Sequence, residues 1–282
     1  MYDTTGSRRR FAEEARSERP DLALLCLLLA AEADPELGEA GIDAAQIELD
    51  ELAGRMPYAP AGGALGWARA AAALLGEQCG FRGSPGDYRR LESSLLPEVL
   101  RRRRGLPILL SVVWIEVARR AGAPVYGVAL PGHFVVGFGD PAVPPGPDGP
   151  VLADPFDGGR LLTAPDAELL VAGATGAPLS PSMLSPAAPL DVIARVLGNI
   201  RAWAAARPER TDVQLWAVEL SLLLPSHPAR LRYEHAQLLV RRGDFRTGAA
   251  ELEAYAEVAE AVDPAAAESV RQQARAALAM LN

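Results

Sequence analysis

His133, in the run LPGHF, and Asp154, in the run ADPF, are the residue types a proton-transfer site needs. An imidazole can take a proton, and a carboxylate can hold that imidazole in one tautomer. They mark the ends of two valine-rich strand candidates, 133–138 and 151–154. If these pair as an antiparallel hairpin, half of the registers put His133 and Asp154 on one face, opposite or diagonal to each other. Taken singly, each has a plainer role: a histidine hydrogen-bonded within the core, and an aspartate that ends a strand as a turn residue before Pro155. Ser111 lies on an apolar helix, where a serine is usually a packing residue whose hydroxyl bonds the preceding turn. As a nucleophile it would need a base and oxyanion donors, and Pro107, lacking an N–H, removes one donor from the helix start. Arg101 to Arg104 read as a solvated face, except that Arg104 stands just before the cleft helix and could bind a ligand carboxylate or hold Asp154 or Asp157. Arg104 and Asp157 are therefore the ligand-binding candidates. His227 and His235 lack companions at metal-ligand spacing, so they are assigned to packing or surface contacts, and neither a metal nor a cofactor is expected.

These residues need a helix and a small sheet to hold them. The stretch 107–121 reads as a strongly apolar helix that opens on Pro107 and stops at Gly122, with enough apolar surface to demand burial. Strand candidates 125–130, 133–138 and 151–154 follow it, and the Pro/Gly-rich segment 140–150 connects the last two. An antiparallel meander packed on the buried helix is the economical arrangement. Upstream, helices are expected over 21–33, 43–55 with Asp43 as its N-cap, 64–79 and 91–104. Downstream, 179–189 reads as irregular, and helices are expected over 192–206, 212–224, 228–242 and 245–261. The spacing from Pro225 to Pro264 is slightly longer than the roughly 34-residue period of tetratricopeptide repeats. The fold class is α+β, with an N-terminal helical region over 1–87, a catalytic-type core over 88–185 and helical hairpins over 186–282.

Composition narrows the function classes. With 282 residues, 49% hydrophobic and 23% charged, the chain can bury a real core without disulfides or metal staples. A net charge of −8 argues against nucleic acid as a partner. Every basic side chain apart from histidine is arginine, which reads as coding bias. The apolar run 22–31 begins too late for a signal peptide and is too short to cross a bilayer, so no membrane association is expected. Cys26 and Cys79 lie far apart and form no CxxC motif. A cytoplasmic protein is the expectation.

The run from Leu91 to Phe138, which carries RRRGLP and LPGHF, and the following VLADPFDGGRLL resemble the bacterial SirB-one type of the transglutaminase-like superfamily. The resemblance covers about 88–162, and RRGDFRTGAAELEAY is similar to the tetratricopeptide-like tail of such proteins. It implies a transglutaminase-like, papain-like core. In catalytic members a cysteine at the start of the buried helix attacks an amide or thioester carbonyl, assisted by a histidine and an aspartate on neighbouring strands. His133 and Asp154 match that pair, whereas the helix spacing back from Gly122 puts Pro107 where the cysteine should stand. The resemblance thus implies a diverged protein without the family thiol, binding a peptide, a protein or a small amide-bearing ligand through its cleft and helical tail. The alternative is an amide hydrolase or acyltransferase with His133 as base, Asp154 as its orienter and Ser111 or water as nucleophile.

Overall fold

A computed structural model describes residues 4–144, 146 and 149–281. Of the Pro/Gly connection expected over 140–150, Pro145, Pro147 and Asp148 lie outside the described residues. The chain forms two compact units, Met1–Val196 and Leu197–Asn282, with the boundary inside one helix.

The first unit opens with α1 (Thr4–Glu14), α2 (Leu22–Ala33), α3 (Gly38–Arg55) and α4 (Gly63–Ala71). Asp21 caps α2 by accepting from the Leu24 N–H. Asp43 is not the N-cap of α3: the helix starts a turn earlier, because its buried stripe already includes Ile42, and Asp43 is exposed within it. Immediately after α4, Ala72–Gln78 winds as a π-helix, closed by a bond from the Cys79 N–H to the Leu74 carbonyl.

The single helix expected over 91–104 is instead a 3-10 turn, Leu91–Ser94, followed by α5 (Leu96–Arg102). Pro97 explains the break, since it fits a first helical turn but would clash inside a longer helix. Arg103 ends α5 in the left-handed region, at φ 57°. Its guanidinium lies 4.6 Å from the centre of the Phe81 ring and 2.8 Å from Glu48, and these contacts hold that strained backbone.

Next comes α6 (Pro107–Arg120), buried continuously from Pro107 to Ala118. It packs against a four-stranded antiparallel meander of β1 (Val125–Val128), β2 (Val135–Phe138), β3 (Val151–Asp154) and β4 (Arg160–Leu162). β4 and the helix α7 (Ala164–Thr175) escaped the sequence reading. β4 has only three residues, too few to show alternation. α7 begins at a capping box between Thr163 and Asp166. Its Val171 joins Val128, Leu130, Val135 and Leu162 in one apolar cluster. Every residue of β2 is therefore buried, which erases the period-two pattern of a half-exposed strand.

α8 (Pro189–Ala205) carries the chain across the unit boundary. The second unit continues with α9 (Thr211–Leu223), α10 (Arg230–Arg241), α11 (Phe245–Glu260) and α12 (Pro264–Ala279). Pro264 opens a further helix, the N1 role that suits proline, with Asp263 as its cap. The core here is built from small side chains, including Ala236, Ala249, Ala256, Ala267 and Ala274. They let the helices approach closely enough that a Cβ on Gly248 would sit 3.0 Å from the Ala236 carbonyl oxygen.

His235 on α10 ties three helices of this unit together. Its Nε2 lies 3.6 Å from Glu219 on α9, and its Nδ1 bonds Glu251 on α11 at 2.6 Å. Glu219 and Glu251 raise the imidazole pKa against the opposing effect of burial. A raised folded-state pKa means that the stabilisation is fully present below the unfolded pKa and is lost as pH rises through the folded one. The unfolding midpoint of the second unit should therefore decrease as the pH is raised from the ordinary histidine range through the raised folded-state pKa. Denaturant titrations should show this slope in the native chain and a flatter one in His235→Gln; equal slopes would refute the assignment.

Candidate functional site

The segment Leu130-Pro131-Gly132-His133 is a tight turn in which the His133 N–H bonds the Leu130 carbonyl at 3.2 Å and Gly132 has φ 71°. Proline followed by a positive-φ glycine is the composition of a type II turn, so the LPGH tetrapeptide itself delivers His133 to the head of β2. Across from it, Asp154 ends β3 and caps the 3-10 turn Pro155–Asp157, its Oδ1 accepting from the Phe156 N–H at 2.9 Å. The β2–β3 register pairs Val136 with Ala153. One step further, Asp154 stands opposite Val135, which leaves His133 diagonal on the same face.

The dyad is formed. His133 Nε2 lies 2.9 Å from Asp154 Oδ2, with the imidazole 13% exposed and the carboxylate buried. A carboxylate only accepts, so this contact needs the proton on Nε2, and in the neutral imidazole the lone pair is then on Nδ1. Nδ1 makes no hydrogen bond among the described residues and is the atom able to take a proton from a ligand or a water.

Ser111 is not at an open surface. It is fully buried, and its hydroxyl contacts the Phe134 carbonyl oxygen at 3.4 Å, just ahead of β2, rather than bonding back along its own helix. Pro107 is buried at the first position of α6. The four arginines separate as individuals. Arg101 pairs with Glu98, Arg102 with Asp87 and Arg103 with Glu48. Arg104, half-buried and bridged to Arg82 through the main chain, forms no ion pair among the described residues. Asp157 is held by Arg160 at 2.9 Å, so Arg104 fixes neither Asp157 nor Asp154.

Three further side chains that the sequence did not single out surround the dyad: Phe156, Tyr88 and Arg195. The Phe156 ring stands edge-on to His133, with centroids 6.0 Å apart, and the Tyr88 ring packs against Phe156 at the same spacing. Burial, then the Asp154 charge, raise the Tyr88 pKa, opposed by Arg195, so the phenol stays a hydrogen-bond donor at neutral pH. Arg195, from α8, donates through Nη2 to the Leu130 and His133 carbonyls at 2.8 and 2.7 Å, clasping both ends of the turn. Gly83 makes room for Phe156: its N–H bonds the Phe156 carbonyl at 2.8 Å, and a Cβ there would lie 1.9 Å from the ring.

A family model described as transglutaminase-like superfamily matches residues 43–198, more than half of the chain. The chain belongs to that superfamily. A tetratricopeptide repeat model matches residues 200–282. Among curated relatives of this transglutaminase-like chain, a UPF0162 protein of Xylella fastidiosa is 34% identical over 163 residues, 56% of each chain. A UPF0162 protein of Pseudomonas aeruginosa is 36% identical over 119 residues, 42% of this chain and 41% of that one. The mouse protein named F-box only protein 21 is 26% identical over 166 residues, 56% of this chain and 25% of its own length. The match thus spans 56% of the Xylella relative's length and 41% of the Pseudomonas relative's. No solved structure matches. The transglutaminase-like match encloses His133, Asp154, Tyr88 and Arg195 alike. No helix among the described residues is long and apolar enough to cross a membrane.

Proposed function

We propose that this chain is a SirB-one-type member of the superfamily in which the cleft at His133 and Asp154 recognises an amide-bearing peptide or protein segment without covalent catalysis. One observation carries the reading: the dyad is assembled with Nδ1 unbonded, while the hydroxyl on the cleft helix, Ser111, is sealed against a main-chain carbonyl and Pro107 opens that helix. An imidazole nitrogen that keeps its lone pair accepts an amide N–H, and the Tyr88 phenol can donate to the amide carbonyl. Arg104, without an ion pair among the described residues, adds a cation for the same ligand, and Asp157 adds a carboxylate at the turn. The tetratricopeptide unit supplies a surface for a protein partner, since such helical stacks form grooves for extended or helical segments. Two unpaired cysteines favour a reducing, cytoplasmic setting.

A second reading, hydrolysis by a water activated at Nδ1, is favoured by the same Nε2–H tautomer, because it makes His133 a competent base. A peptide library binding assay read by fluorescence, with products followed by mass spectrometry, separates the two. In the recognition reading His133→Ala weakens binding by about tenfold and no cleavage accompanies either protein. Ser111→Ala leaves binding unchanged. Cleavage that disappears in His133→Ala would replace recognition by hydrolysis, and unchanged binding in that variant would remove the cleft from the function.

A further inference from the structure

Among the described residues Arg195 is a cation without a counter-ion. It is half-buried, forms no ion pair among the described residues, and uses a single nitrogen, Nη2, for both of its carbonyl contacts. Its Nε and Nη1 groups make no hydrogen bond among those residues. A clasp on two carbonyls needs donors but no charge, and a guanidinium partly removed from water without an anion is unfavourable. Burial indeed lowers its pKa from the ordinary arginine value. Its position is set by the residue that carries the dyad, since one of the two carbonyls belongs to His133 itself. Phe134, the next residue, has its ring 5.6 Å from the guanidinium carbon. The Tyr88 ring joins this neighbourhood through Phe156, whose ring stands against His133.

We infer that Arg195 binds a carboxylate of the ligand, placing the neighbouring amide against His133. This deepens the cleft reading given above and rests on it. The planar fork of arginine suits a carboxylate, and the two nitrogens not spent on the turn are the ones left for it. The carboxylate can come from the free C-terminus of a peptide or from an acidic side chain. Both share this chemistry, and the two sources differ in which peptides the protein accepts.

Three probes decide it: N-acetyl-trialanine as the free acid, the same peptide as its C-terminal amide, and N-acetyl-Ala-Glu-Ala amide. Each is titrated calorimetrically into the full chain. The free acid should bind ~10-fold or more tightly than the trialanine amide, and Arg195→Gln should bring the acid to the level of the amide. That ratio is insensitive to a mere loosening of the 130–133 turn, which would weaken both peptides together. Arg195→Lys, which keeps a charge but loses the fork, should retain part of the preference. If the Glu-containing amide matches the free acid, carboxylate recognition stands and an acidic side chain serves as its source. Equal affinity for acid and amide in the native protein, with binding still lost in His133→Ala, overturns the inference and leaves the cleft reading intact. Absence of binding by all three peptides overturns both.

Discussion

Asp154→Ala is expected to destabilise the first unit by about 2–4 kcal/mol and to abolish the orientation of His133. Asp154 is 4% exposed, and its carboxylate serves two donors, the His133 Nε2–H and the Phe156 N–H. Its removal strands both in a site with little water, and each unsatisfied donor costs roughly 1–3 kcal/mol. Asp154→Asn separates the structural from the chemical part. The amide oxygen can still cap Phe156, so most of the stability should return. Its NH2 group would face Nε2 and drive the imidazole into the opposite tautomer, with the proton on Nδ1. Denaturant unfolding reads the first effect and imidazole nitrogen chemical shifts read the second. An Asn variant with the native tautomer would show that the carboxylate does not set it.

Gly76→Ala should be comparably damaging, at roughly 2–4 kcal/mol, although Gly76 carries no chemistry. It lies in the π-helix, and a Cβ there would sit 1.9 Å from the Gly158 carbonyl oxygen and 2.8 Å from its carbon. Neither neighbour is a side chain that can swing aside. Gly158 closes the 3-10 turn that Asp154 caps, so relief of the clash must displace the segment on which the dyad depends. Both the unfolding midpoint and the imidazole signal of His133 should therefore change. By contrast, Gly54→Ala, where nothing lies within 4 Å, should leave both as they are. Equal behaviour of the two variants would mean that the π-helix does not brace the site.

The parts of the fold that could be read in advance are those governed by neighbours along the chain. α6 was legible because Pro107 and Gly122 bracket an apolar run, and the meander because valines cluster between turn residues. The helix start at Gly38 and the break before Pro97 show the limit of such signals. In each case a capping or periodic pattern was present, and burial or proline sterics selected a different boundary.

His133 and Asp154 were encoded locally. A Pro-Gly turn presents the one, an aspartate-capped turn presents the other, and a short antiparallel register joins them diagonally. The fate of everything around them required the folded chain. Ser111 looked like a residue on a cleft-facing helix until the Phe134 carbonyl was seen to take its hydroxyl. The arginines of 101–104 have indistinguishable sequence contexts, yet among the described residues three find acidic partners and Arg104 does not. Arg195 reaches the His133 carbonyl across a separation of 62 residues, from a helix with no motif. Turns and strand patterns arise from forces acting over a few residues, whereas a lone arginine or tyrosine acquires its role only from what the packing of distant elements sets beside it.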